Sequence, residues 1–175
     1  MVSKPPSNRD RTTAQPMYEN FSDIPLDANW IGRIASAALT CLEFQDIARA
    51  AILYDLLLPY ADFMAMGGPA AICFGPVHQT LGRLAFLLGR DVSGVQHFEA
   101  SLERSEALDF GVLTARSRKQ FADCLLTRDA PGDRERALTL IREALAGAET
   151  LGMKVLVEEA LELKLRLQGA ATGDV

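Results

Sequence analysis

Two histidines, three cysteines, one glycine-rich run and a few clustered charges are the residues of this sequence that could carry chemistry. His78 and His97 are the only histidines, and neither has a Cys, Asp or Glu three or four residues away, the spacing that sets two metal ligands on one helix face. Both read as packed or half-exposed helix residues. Cys41, Cys73 and Cys124 stand 32 and 51 residues apart with no C-x-x-C pair, so they read as buried small apolar residues in a reducing compartment. Cys124 could act as a nucleophile only with a base beside it, and the buried-thiol reading is preferred. Gly67-Gly68, with Gly75-Pro76 beyond, lacks the lysine and the preceding strand that a phosphate loop requires. Gly67-Gly68-Pro69 is instead predicted to break the chain after a first helical hairpin, with Pro69 starting the next helix. Pro76 then kinks that helix or marks its true start. Glu158, Glu159 and Glu162, near Lys164 and Arg166, read as a solvated face, opposite an apolar seam of Val157, Leu161 and Leu165 widened by Leu163 and Leu167. No convergent set of titratable groups assembles, so no enzyme, cofactor or metal is expected.

The elements that would position these residues are helical. The chain has 175 residues, 49% hydrophobic and 23% charged, enough for one domain or a short repeat array. It shows no run of about 18 uncharged apolar residues and no apolar signal-peptide core, so a cytoplasmic protein without membrane contact is expected. A net charge of −5 disfavours nucleic acid, whose phosphates are neutralised by basic residues. Charge is unevenly spread: 8 charged residues in the 62 from Asp27 to Leu88, against 27 in the 87 from Gly89 to Val175. A helical layer so poor in charge is expected to be covered on both faces.

Residues 1–26 are rich in proline and polar residues and are predicted to form a flexible arm. From Asp27 onward apolar residues recur at three- and four-residue spacing, which predicts helices over 28–43, 46–60, 70–89, 91–109, 112–128, 133–151 and 153–168. Asp27, Asp46 and Asp91 stand at N-cap positions, and Gly89, Gly111 and Gly152 at helix stops. Strands are not expected. The fold class is all-α, about seven helices, with residues 27–169 forming the repeat domain and 170–175 a tail.

A small residue, a bulky one four later and a third three further on recur as Ala50, Tyr54, Leu57; Gly94, Phe98, Ser101; and Ala137, Ile141, Ala144, at periods of 44 and 43. The small side chain lets one helix approach another and the bulky one fills the gap a turn later. With Leu81-Gly82 and Phe121-Ala122 in the preceding helices, this pattern resembles tetratricopeptide repeats, at a longer period than usual. The stretches 53–62, 81–103 and 130–153 resemble the helical repeats of multidomain bacterial transcriptional activators, signalling ATPases and class III adenylate cyclases. The resemblance implies antiparallel hairpins stacked as a right-handed solenoid and a non-catalytic protein-interaction scaffold in bacterial signalling. The alternative it implies is a regulatory repeat segment of a larger ATPase or cyclase, docking on the catalytic module. The chain has no G-x-x-x-x-G-K-[ST] loop of its own.

If the first helix of each pair lines the inner surface, as in tetratricopeptide arrays, aligning Leu81-Gly82 with Phe121-Ala122 puts Gln79, Arg83, Lys119 and Asp123 on that wall. Arg116 lies one turn before Lys119. The resulting candidate groove is Arg83, Arg116 and Lys119 for charge, with Leu39, Leu42 and Phe86 for apolar contact, suited to a peptide or protein partner carrying a carboxylate. The plainer reading is that these are ordinary surface cations. A docking segment would show an apolar patch on the outside of residues 28–88 instead. Oligomeric state is not legible.

Overall fold

The computed structural model describes residues 21, 24–68 and 72–172, and 76% of them are helical. Seven α-helices follow one another: α1 (Trp30–Phe44), α2 (Ile47–Leu57), α3 (Val77–Leu87), α4 (Asp91–Ala107), α5 (Gly111–Arg128), α6 (Asp133–Thr150) and α7 (Lys154–Thr172). Apart from the α2–α3 link, the connections are two to four residues long, which folds consecutive helices back on one another. Contacts also skip a helix, because α1 touches α3, α3 touches α5 and α5 touches α7. Among the described residues no helix is long and apolar enough to cross a membrane.

The α2–α3 link differs from expectation. A short 3-10 turn (Leu58–Tyr60) follows α2, and then β1 (Met64–Gly67) pairs antiparallel with β2 (Ile72–Pro76), Met64 opposite Pro76, with a bulge at Ala65/Met66. The helix predicted over 70–89 therefore starts only at Val77, and Pro76 is its N-cap. The physical reason is that Gly75 takes a φ of +106°, which breaks a helix, while Val77 N–H donates to the Phe63 carbonyl across the hairpin at 2.9 Å. Pro69, read as a helix start, lies outside the described residues, as do residues 1–20 of the predicted arm. The end of that arm belongs to the core: Phe21 is buried and Ile24 packs beside it.

Helix ends follow the chemistry of their caps. Asp46 accepts the Arg49 N–H at 3.1 Å and pairs with the Arg49 guanidinium at 2.6 Å. Asp27 accepts the Asn29 N–H at 2.8 Å just before α1. Gly89 and Gly152 adopt the left-handed φ expected beyond α3 and α6. Three expectations shift by a residue or two: the N-cap of α1 is Asn29 rather than Asp27, Asp91 is the first residue of α4, and the left-handed residue after α4 is Asp109, with Gly111 opening α5.

All nine residues of the three triplets are buried. The reason is clearest between α3 and α4, where two glycines receive two phenylalanines reciprocally. A Cβ on Gly82 would meet the Phe98 ring at 2.8 Å, and one on Gly94 would meet the Phe86 ring at 2.7 Å. Small residues on each helix thus accept the bulky residue of the other.

Buried side chains gather into two large clusters. Trp30, Ile34, Leu53, Leu57, Leu81 and Leu84 centre the first, and Phe98, Phe121, Leu125, Ile141, Ala160 and Leu163 the second. The seam expected on α7 is corrected here: Leu161 and Leu165 are 44% and 65% exposed, while Leu156, Ala160 and Leu163 face inward. Ala137 lies fully buried in the second cluster. Ala137→Leu should therefore cost about 1 to 3 kcal/mol by overpacking. A thermal melt superimposable on the parent's would remove Ala137 from the helix contact.

Candidate functional site

Helices α3 and α5 lie against each other and share a polar wall. Gln79 Nε2 of α3 donates to Gln120 Oε1 of α5 at 3.0 Å. Arg116, one turn earlier on α5, donates from Nη2 to the Phe74 carbonyl of β2 at 2.7 Å, which ties the β-hairpin to this wall. Both contacts join residues about one repeat apart, at separations of 41 and 42. Tyr54–His97 and Asp123–Arg166 repeat the relation at 43.

Arg83 and Arg116 have no carboxylate within ion-pair distance among the described residues. Burial pushes the Arg83 guanidinium below its ordinary value, and the Cys124 thiol and Asp123 act in the opposite sense. Burial also lowers Arg116, with Cys73 opposing it and the positive charge of Arg83 adding to it. Two half-buried guanidiniums thus sit close enough to repel, and Asp123, beyond ion-pair distance, acts on Arg83 alone. Lys119 differs, because its ammonium is 3.0 Å from Glu159 of α7.

The six groove candidates do not form one surface. Arg116 and Lys119 line a groove of about 510 Å³ between α5 and the start of α7, whose apolar wall is Met153, Val155 and Leu156. Leu39 is exposed on α1 and Leu42 is half-buried against the first cluster, and neither lines that groove. Phe86 packs in the second cluster, 6.1 Å and 6.5 Å from the Phe98 and Phe121 rings, with the Arg128 guanidinium 5.5 Å over its face. The helix spacing that set Met153, Val155 and Leu156 at the head of α7 was available in sequence, but their facing toward α5 depends on the helix-to-helix rotation.

A second polar cluster joins residues that sequence spacing kept apart. His78 Nδ1 lies 2.9 Å from His97 Nδ1, and His97 Nε2 lies 2.9 Å from the Tyr54 hydroxyl. His78 Nε2 faces Asp62 Oδ1 at 3.5 Å. The chain runs from α2 through α4 and α3 to the segment before β1. Burial, and then the charge of His78, push His97 down to about 4. The only signal in sequence was that His97 stands one residue before Phe98, the counterpart of Tyr54 in the next repeat.

Among the described residues no group of three His, Cys, Asp or Glu could hold a metal. Cys41 is buried, Cys124 is half-buried and Cys73 is exposed, which corrects the expectation that all three are covered. Burial pushes the Cys124 thiol up to about 12 despite the neighbouring Arg83, so it stays protonated and unreactive at neutral pH. Comparison with protein-family models, with curated proteins and with solved structures finds no match to this chain.

Proposed function

We propose that this chain is a non-catalytic protein-interaction scaffold of tetratricopeptide type in bacterial signalling, its helix hairpins stacked as a right-handed solenoid in the cytoplasm. Repeat packing is supported by three buried triplets a repeat apart and by polar contacts at separations of 41 to 43. The observation that carries the function is the Arg83–Arg116 pair on the α3–α5 wall, half-buried and with no carboxylate within ion-pair distance among the described residues. A desolvated guanidinium gains most from a planar anion that it can grip with two N–H groups. The occupant is a peptide or protein segment that presents an acidic side chain or a free terminal carboxylate to this pair, its apolar part resting in the adjoining α5–α7 groove, which Arg116 lines and Arg83 does not, against Met153 and Leu156.

The test uses a fluorescent peptide library with acidic termini, each member made as the free acid and as the amide. The parent should select free-acid members, and Arg83→Gln with Arg116→Gln should weaken the selected peptides by about tenfold or more, since hydrogen bonds to charged groups are worth about 1.5 to 3 kcal/mol each. Circular dichroism checks that the double variant folds. Equal affinity of parent and variant would remove the α3–α5 wall as the binding surface.

A second reading is favoured by a different observation. Phe44, Ile47 and Ile52 are all more than half exposed on α1 and α2, in the charge-poor half of the chain. This is the surface by which a regulatory repeat segment would dock on an ATPase or cyclase module. Loss of partner binding on Phe44→Ser with Ile47→Ser, and not on the arginine changes, selects this reading.

A further inference from the structure

We propose that the Tyr54–His97–His78 chain is a proton-operated latch, which holds α2 to the α3–α4 pair while His97 is neutral and releases it when His97 takes up a proton. Asp62 Oδ1 lies 3.5 Å from His78 Nε2 and can only accept, so the contact favours the tautomer with hydrogen on Nε2. In a neutral His78 ring Nδ1 is then an acceptor, so His97 supplies the N–H between the two facing Nδ1 atoms. His97 Nε2 is left as the acceptor for the Tyr54 O–H. Every donor in the closed chain has an acceptor, with no net charge on either ring.

One added proton can still be housed. Carried by His78, it reverses each bond in turn: His78 Nδ1–H donates to His97 Nδ1, and His97 Nε2–H donates to the Tyr54 oxygen. A second proton has no place. Both Nδ1 atoms would carry hydrogen across a gap of 2.9 Å, with a positive charge on each ring. The half-buried site offers little water to screen that repulsion. The chain must then open.

Its position decides what opens. Tyr54 belongs to the first hydrophobic cluster, with α1, α2 and the length of α3 from Val77 to Leu87, while the second begins at Phe98, one residue beyond His97. The Tyr54–His97 bond therefore ties α2 of the first cluster to α4 at the edge of the second. Facing charges on the adjoining elements are few. Asp55 of α2 and Arg90 of the α3–α4 link are 3.8 Å apart, and Arg90 stacks on the Tyr54 ring at 4.8 Å from its centroid. Asp62, which His78 faces, is largely solvent-exposed. Arg33 of α1 is bound to Asp27 while Glu43 is exposed, Arg116 of α5 is held by the Phe74 carbonyl, and Cys73 of β2 faces solvent. Of all these groups, His78 is the one whose charge weighs on His97.

The sign follows from linkage. His97 is held at about 4 in the closed chain, against 6.5 for a free ring, so the open form binds the proton more tightly. The closed form is at full strength above about pH 6.5 and weakens progressively down to about pH 4. At pH 5 the opening equilibrium should exceed its neutral-pH value by up to about 30-fold.

Amide hydrogen exchange of the whole chain, corrected for intrinsic rates, reads this directly at pH 7.5 and pH 5. Opening of α2 should increase by up to about 30-fold in the parent. Amides of α6 and α7 should stay level, and His97→Gln, which cannot titrate, should show no such rise. A parent without pH dependence, a rise shared by all helices, or the same rise in His97→Gln each overturns the latch. Should His97→Gln fail to fold, nitrogen-15 spectra of the imidazoles in the parent decide. Protonation of His97 that tracks α2 opening supports the latch, and protonation near pH 6.5 with α2 closed overturns it.

Discussion

Phe98→Ala should destabilise the protein by about 3 to 5 kcal/mol, at the upper end of what losing a buried aromatic ring costs. Phe98 is fully buried and stacked on Phe121, with centroids 4.8 Å apart and planes 6° from parallel. Phe86 lies 6.1 Å away, and the Arg136 guanidinium covers the Phe121 ring at 4.6 Å. The size of the loss depends on whether the neighbours can collapse into the void. One wall is Gly82, which has no side chain to move inward, so the cavity stays open unless α3 itself shifts. Urea unfolding should show a lower midpoint at unchanged slope. Phe98→Ala combined with Phe121→Ala should cost less than the two separate losses together, because each single change removes the same stacked contact. Strict additivity would mean that the rings do not support each other.

That ring pair also shows why so much of the helical architecture could be read from sequence. A small residue followed four later by a bulky one is a direct imprint of close helix contact, because the backbone can approach only where a Cβ is absent or small. Gly94 and Phe98 carry that imprint in α4, and Ala137 and Ile141 repeat it in α6. The period then brings together residues about one repeat apart, as Tyr54 and His97 are.

Other features left no comparable imprint. The β-hairpin is built from strands of four and five residues, Met-Ala-Met-Gly and Ile-Cys-Phe-Gly-Pro, which have no polar–apolar alternation because parts of both sides are covered by the bundle. On α7, apolar residues fall at nearly every second position through Leu161, Leu163, Leu165 and Leu167, so two opposite faces looked equally apolar. Contact with α5 and α6 selects the face of Leu156, which packs with Ala115 and Ala148, and of Ala160 and Leu163 in the second cluster. The candidate site divides in the same way. Arg83 and Arg116 were legible as cations of neighbouring first helices, although the repeat alignment pairs Arg83 with Asp123 and leaves Arg116 a turn before Lys119. That Phe86 turns into the core was not, because the glycine that receives it lies on α4, outside the alignment of first helices. The histidine chain depends on three backbone segments at once, and no local pattern encodes it.

The sign of a glycine substitution tests the hairpin's seat on α1. In an exposed helix interior, Gly→Ala stabilises by up to about 1 kcal/mol, because glycine gives up more backbone freedom on folding. Gly147 in α6 should behave this way, since an added Cβ would meet only the Ala115 Cβ at an ordinary 3.5 Å. Gly32 in α1 should do the reverse. A Cβ there would lie 2.0 Å from the Met66 carbonyl oxygen, 2.7 Å from its carbon and 3.0 Å from Gly67 Cα. All three are backbone atoms of β1, so no rotamer change can relieve the clash. The strand must lift away from α1, which exposes Ala65 and strains the link that Phe74 makes to Arg116. Gly32→Ala should accordingly cost about 3 kcal/mol or more, outweighing the helix-propensity gain of about 1 kcal/mol. Chemical denaturation of the two alanine variants beside the parent measures both signs in one experiment. A Gly32→Ala protein as stable as Gly147→Ala would mean that β1 does not rest on α1.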